Sequence, residues 1–74
     1  MTKSSESLDG QHFLDAAKLH CRSQIKDAQA KIDLYLNFAQ GVADHSNITK
    51  EILAAAEQGA HAQDILLFLE KYHR

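Results

Sequence analysis

The residues of this 74-residue chain that could carry chemistry are five histidines, one cysteine and ten carboxylates. Two histidines that bind one metal ion from the same helix usually stand three or four residues apart, and no two of the five have that spacing. His61 and Asp64 form one acceptable pair, but the sequence offers no third ligand beside them. We therefore expect neither a metal site nor a cofactor.

The single cysteine cannot form a disulfide within the chain. Cys21 stands among regularly spaced apolar residues, a position typical of a small buried hydrophobe. A nucleophilic thiol would need a lowered pKa and an oriented base in a concave site. The carboxylates of the C-terminal half are spread along one helical stretch, and the three isolated glycines do not form a phosphate-binding loop. We expect that the protein is not an enzyme.

Charge and hydropathy narrow the possible partners. The net charge is −2 and no dense Lys/Arg cluster occurs, which argues against binding through nucleic-acid phosphates. A helix-turn-helix centred on Gly59 is a weaker alternative, because the helix after it, Ala60 to Leu69, offers bases mainly His61 and Gln63. The longest apolar run, Ile65 to Leu69, is far too short for a membrane span. With no readable signal peptide, we expect a soluble cytoplasmic protein.

Two stripes of apolar residues indicate two amphipathic helices, because their members recur at alternating steps of three and four. The absence of proline also favours long helices. Lys18 interrupts the first stripe, and its methylene groups can lie along it. The first stripe comprises Leu14, Cys21, Ile25, Ala28, Ile32, Tyr35 and Ala39. The second comprises Ile48, Ile52, Ala55, Gly59, Ala62, Leu66 and Leu69.

The ends of these helices can be placed from their capping residues. Residues 1–7 are polar and are expected to be disordered, and residues 8–74 form the single domain. Ser7 or Asp9 caps a first helix over residues 11–40, which Gly41 ends. Residues 41–46 form a short turn, and Ser46 or Asn47 caps the second helix.

A short connection favours antiparallel packing, so the two stripes can be aligned about the turn. The alignment sets Tyr35 near Ile52, Ile32 near Ala55 and Ala28 near Gly59, and it sets Ile25 near Ala62 and Cys21 near Leu66. Small residues then meet in the middle, where a glycine allows close approach of the backbones. The fold class predicted is an all-α, antiparallel two-helix hairpin that resembles a coiled coil. A helix break at Gly59, giving three helices, is the alternative.

The hairpin has more apolar residues than two helices can bury. Several project away from the stripes, and they indicate either a homodimer or a dedicated protein partner. Phe13, Phe38 and Ile65 lie on the flanks. The residues expected to bind a partner are Leu19, Leu34, Leu53, Ala60, Leu67, Phe68 and Tyr72.

One family shares this arrangement. An amphipathic helix that ends in Gln40 and Gly41, a short turn, and a second helix that ends in Ile65, Leu66 and Leu69 resemble the small E-component cochaperones of bacterial type III secretion needle subunits. The resemblance covers roughly residues 22–69. It implies a helical hairpin that binds a repeat-type chaperone, so that together they keep the needle subunit soluble in the cytoplasm.

The function expected is therefore binding to protein, as a cochaperone associated with secretion and virulence. A second resemblance, to small helical connector proteins of bacterial two-component signalling, rests on the Ile/Leu spacing of the last helix. It gives the alternative of a regulator that acts on a signalling or transcription partner. The sequence does not identify the partner.

Overall fold

The computed structural model describes residues 10–39 and 46–72, which form two helices. Helix α1 (Gly10–Ala39) and helix α2 (Ser46–Leu69) pack against each other along their lengths. They are antiparallel, since Arg22 in the first half of α1 contacts Glu70 just beyond the end of α2, whereas Tyr35 near the end of α1 contacts Glu51 near the start of α2. The predicted all-α hairpin is confirmed. Neither helix in the described part is long and apolar enough to span a membrane.

The bounds of both helices agree closely with the sequence pattern. Helix α1 begins and ends within one residue of its expected limits, and α2 begins at Ser46, the earlier of its two expected capping residues. Beyond Leu69, two tighter backbone hydrogen bonds close the chain end, from Lys71 N to Phe68 O and from Tyr72 N to Leu69 O. The expected disorder of residues 1–7, the caps at Ser7 or Asp9 and the turn after Gly41 lie outside the described residues.

The core between the helices is made almost entirely of small side chains. Among the described residues, no large side chain is fully buried. Apart from Ala39, whose side chain is not described, the other stripe residues, including Lys18, are half-buried along the contact. In the described ranges a single row of side chains therefore supplies the core, which limits the hydrophobic stabilisation of an isolated hairpin. The buried residues are Cys21, Ala28, Ile48, Ala55 and Ala62.

Gly59 lies inside a continuous helix. Helix α2 runs through it without interruption, and its backbone does not enter the left-handed region that a helix-ending glycine would adopt. The three-helix alternative is therefore not what the structure has. The glycine instead serves the contact with α1, as the geometry of the two helices shows.

Candidate protein-binding faces

The contact between the helices has the register that the two stripes predict. A Cβ atom built on Gly59 would lie 3.0 Å from the Cβ atom of Ala28, so these residues face each other directly. Ala28 is only 2% exposed and Ala62, one turn beyond Gly59, is 1% exposed. The backbones of the two helices therefore approach closely at these small residues.

Most of the polar contacts described between the helices lie along one flank of this seam, and the Arg22–Glu70 ion pair lies on the other. Gln58 accepts a hydrogen bond from Lys31 Nζ at 3.2 Å and donates one to the Asp27 carboxylate at 3.3 Å. Lys31 also pairs with Asp27 within α1 at 3.2 Å. Nearer the loop, the Tyr35 hydroxyl donates to the Glu51 carboxylate at 3.4 Å. These long side chains bridge the two helices on this flank.

The same contacts lower the pKa of the Asp27 carboxyl. The hydrogen bond from Lys31, then the one from Gln58, and then the positive charge of Lys31 hold the pKa of the Asp27 carboxyl below its ordinary value. Each of these contributions favours the ionised carboxylate. The Asp27 side chain is more than half exposed to solvent, so its contribution to stability is small.

The opposite flank of the seam opens into a shallow groove of about 260 Å³. Ala28 and Gly59 meet in this groove and leave room that larger side chains would fill, and Ile25 and Ile32 line it beside them. Gln29 and Gln63 form its polar edge, and a neighbouring hollow on α1 is lined by Arg22 and Lys26. The apolar lining consists of Ile25, Ala28, Ile32, Ala55, Ala56, Gly59 and Ala60.

Exposed leucines surround this groove. Leu53 and Leu67 stand seven residues before and after Ala60, and Leu36 stands seven residues after Gln29, so helical periodicity places them on the same flank. Leu19 stands seven residues before Lys26 and belongs there too. All four leucines are more than half exposed. We call this surface the groove face: Leu19, Leu36, Leu53, Ala56, Ala60 and Leu67.

A second apolar surface lies on the flank with the polar contacts. Phe38 stands seven residues after Lys31, Ile65 seven after Gln58, and Tyr72 seven after Ile65. The ring of Phe68 packs edge-on against Tyr72, with ring centroids 5.9 Å apart, and Lys71 Nζ lies 5.5 Å from the Phe68 ring centroid. Phe13 stands fourteen residues before Asp27 and Leu34 seven residues after it, so both lie on this flank. We call this surface the aromatic face: Phe13, Leu34, Phe38, Ile65, Phe68 and Tyr72.

The structure thus divides the residues that the sequence predicts for partner binding. Leu19, Leu53, Ala60 and Leu67 lie on the groove face, whereas Leu34, Phe68 and Tyr72 lie on the aromatic face. All seven are exposed. Leu36 is missing from the prediction, although it is 53% exposed. It directly follows Tyr35 of the first stripe, and its seven-residue spacing from Gln29 is the signal that places it on the groove face.

The side chains that could take part in catalysis or bind a metal ion are scattered over the described residues. Cys21 is a free, buried thiol within the seam, as its place in the stripe predicts. His20 and His61 are exposed, and no group of three His, Cys, Asp or Glu side chains in the described ranges is arranged to hold a metal ion. His45 and His73 lie outside those ranges. The distinctive surfaces of the described hairpin are therefore its two apolar faces.

Comparison of the chain with protein-family models, curated proteins and solved structures finds no significant match. The resemblance to needle cochaperones stays a prediction from the sequence pattern, and function has to be inferred from the two faces.

Proposed function

We propose that this chain is a protein-binding helical module whose aromatic face docks an amphipathic helix of another protein. One observation carries the proposal: all three phenylalanines of the chain lie on this face, and they are 62%, 63% and 56% exposed. Burying a phenyl ring removes it from water at a gain of about 1.5–3 kcal/mol. Aromatic side chains are also the residues that most often dominate binding at protein interfaces.

The positions of the residues on this face indicate which residue types a partner helix must present. Phe13, Phe68 and Tyr72 lie at the end of the hairpin away from the loop, and Leu34 and Phe38 lie nearer the loop. The exposed polar groups of Asp27, Lys31 and Gln58 stand between these two clusters.

A helix along this face would place apolar residues against both clusters and a hydrogen-bonding residue between them. Within this function, the resemblance names a narrower role: a cytoplasmic cochaperone that binds a second, repeat-type chaperone and shields a secreted subunit. Covering apolar surface on another chain is the mechanism in either case.

Site-specific photocrosslinking tests the proposal in cells that make the protein. A benzophenone amino acid at position 68 would trap a bound partner, and the same group at exposed Glu57, which belongs to neither face, is the matched control. The adduct is identified by mass spectrometry, and the complex is then rebuilt from the two purified proteins.

We expect a stoichiometric complex that Phe68→Ser weakens at least tenfold, while circular dichroism shows unchanged helicity. The proposal fails if position 68 traps no protein that Glu57 does not also trap. It also fails if the rebuilt complex is insensitive to Phe68→Ser.

A further inference from the structure

We propose that the groove face joins two copies of this chain, face to face and antiparallel, into a four-helix bundle. The groove face has an exposed apolar rim, and the alanines and Gly59 that line the groove beside Ile25 and Ile32 let another helical layer approach closely. A second copy of the chain fits this face. One two-fold axis sets residues of each helix against matching residues of the same helix in the second copy.

Helix α2 provides the first half of this symmetry. Leu53 and Leu67 are equally spaced on either side of Ala60. A two-fold axis that lies on the groove face beside Ala60, parallel to the plane of the hairpin and across the helices, therefore sets Leu53 against Leu67 of the second copy. It also sets Ala60 against Ala60 of that copy. Large residues then meet at both ends and small residues meet on the axis. The surface is therefore complementary to itself, as an isologous interface requires.

The same axis also relates leucines on α1. Since Gly59 faces Ala28, the axis that passes Ala60 crosses α1 next to Asp27. It brings Leu19 to within about one residue of Leu36 of the second copy, close enough for their side chains to pack, although these leucines were not used to place it. Four leucine pairs then enclose the small residues of both grooves.

Charge is complementary in the same arrangement. Arg22 and Asp33 are exposed on the groove side of α1, and the axis sets each within about one residue of the other in the second copy. Arg22 already holds Glu70 of its own chain at 3.4 Å, and more than half of its side chain remains exposed to reach Asp33 of that copy. Two symmetric ion pairs would fix this antiparallel register against others.

The surface is also large enough. Between Leu19 and Leu36, α1 rises by about 25 Å, and two adjacent helices are about 20 Å wide, which gives about 500 Å² in projection. Accessible area exceeds the projection, which brings it near the ~600 Å² per partner of smaller stable interfaces. The aromatic faces stay outside the bundle, so this inference goes beyond the proposed function and its test needs no other protein.

Sedimentation equilibrium of the purified 74-residue chain is the first test. We expect twice the 8.3 kDa mass of one chain at micromolar concentrations. A single-chain mass throughout that range overturns the proposal.

Cysteine crosslinking then tests the face and the axis. In a Cys21→Ala background, Ala60→Cys should form a disulfide-linked dimer, because disulfides need Cα atoms within about 7 Å and Ala60 lies on the axis. Ala54→Cys is the matched control, an exposed alanine of the same helix on the flank with the polar contacts. Crosslinking at Ala54 as efficient as at Ala60, or at neither, overturns the proposal.

Discussion

Gly59 packs directly on Ala28 across the contact between α1 and α2, at a distance that leaves no comfortable room for a second Cβ atom. An alanine at position 59 would lie 3.0 Å from the Ala28 Cβ, so the helices would have to move apart by a few tenths of an ångström. Close approach of the backbones thus accounts for a glycine that costs α2 about 1 kcal/mol of helix propensity.

Exchanging the two residues tests this relationship. We expect Gly59→Ala alone to give little or no stabilisation, because the contact with Ala28 offsets the gain in helix propensity. In an Ala28→Gly background the same substitution should stabilise by about 1 kcal/mol, since the opposing methyl group is gone. Urea unfolding followed by circular dichroism measures all four proteins of this cycle.

A larger side chain provides the control for this cycle. Gly59→Leu should destabilise the protein by about 1–3 kcal/mol through overpacking of the seam. Strict additivity in the cycle, or a neutral Gly59→Leu variant, would show that the helices do not depend on close approach at this point.

The lowered pKa of Asp27 predicts a pH-dependent contribution to stability. Because the folded-state pKa is below the unfolded-state value of about 3.9, the contribution is present above that value and is lost as the pH falls through the folded-state pKa. The loss of stability on acidification should therefore be smaller in Asp27→Asn than in the natural chain. Urea midpoints on both sides of this pH range measure the difference.

Asp64→Asn is the control for this titration, since Asp64 is an exposed aspartate on the other helix. Its midpoint should follow that of the natural chain. If Asp27→Asn loses stability on acidification in parallel with the natural chain, the contacts of Asp27 with Lys31 and Gln58 do not persist in solution.

The ion pairs proposed between the two copies predict how the affinity of the dimer changes when the charges of Arg22 and Asp33 are exchanged. Asp33→Arg places like charges opposite each other and should weaken the dimer by roughly fivefold, the scale of an exposed pair. Arg22→Asp combined with Asp33→Arg should restore most of the affinity, although the contact of Arg22 with Glu70 is lost. Dimer dissociation on dilution, measured by sedimentation, gives both values. A double variant that is weaker than Asp33→Arg would contradict the proposed register.

The sequence predicts the seam more completely than the faces, and the reason is physical. Alternating steps of three and four fix which side of each helix is apolar. A short connection between the helices then fixes their alignment, and this alignment pairs Ala28 with Gly59. Assigning flanking residues to a common face also requires knowing which flanks of the two helices meet. Phe68 and Leu67 are neighbours in sequence, yet they belong to opposite faces of the hairpin. Grouping them as one binding surface loses this distinction.

Two adjacent single variants, Leu67→Asp and Phe68→Ser, test the division into two faces most directly. Two properties are measured on each. The properties are the mass of the purified protein and its binding to the crosslinked partner. We predict that Leu67→Asp gives a helical single-chain species that still binds the partner, and that Phe68→Ser stays dimeric but no longer binds it. Loss of both properties in either variant would contradict the existence of two separate faces.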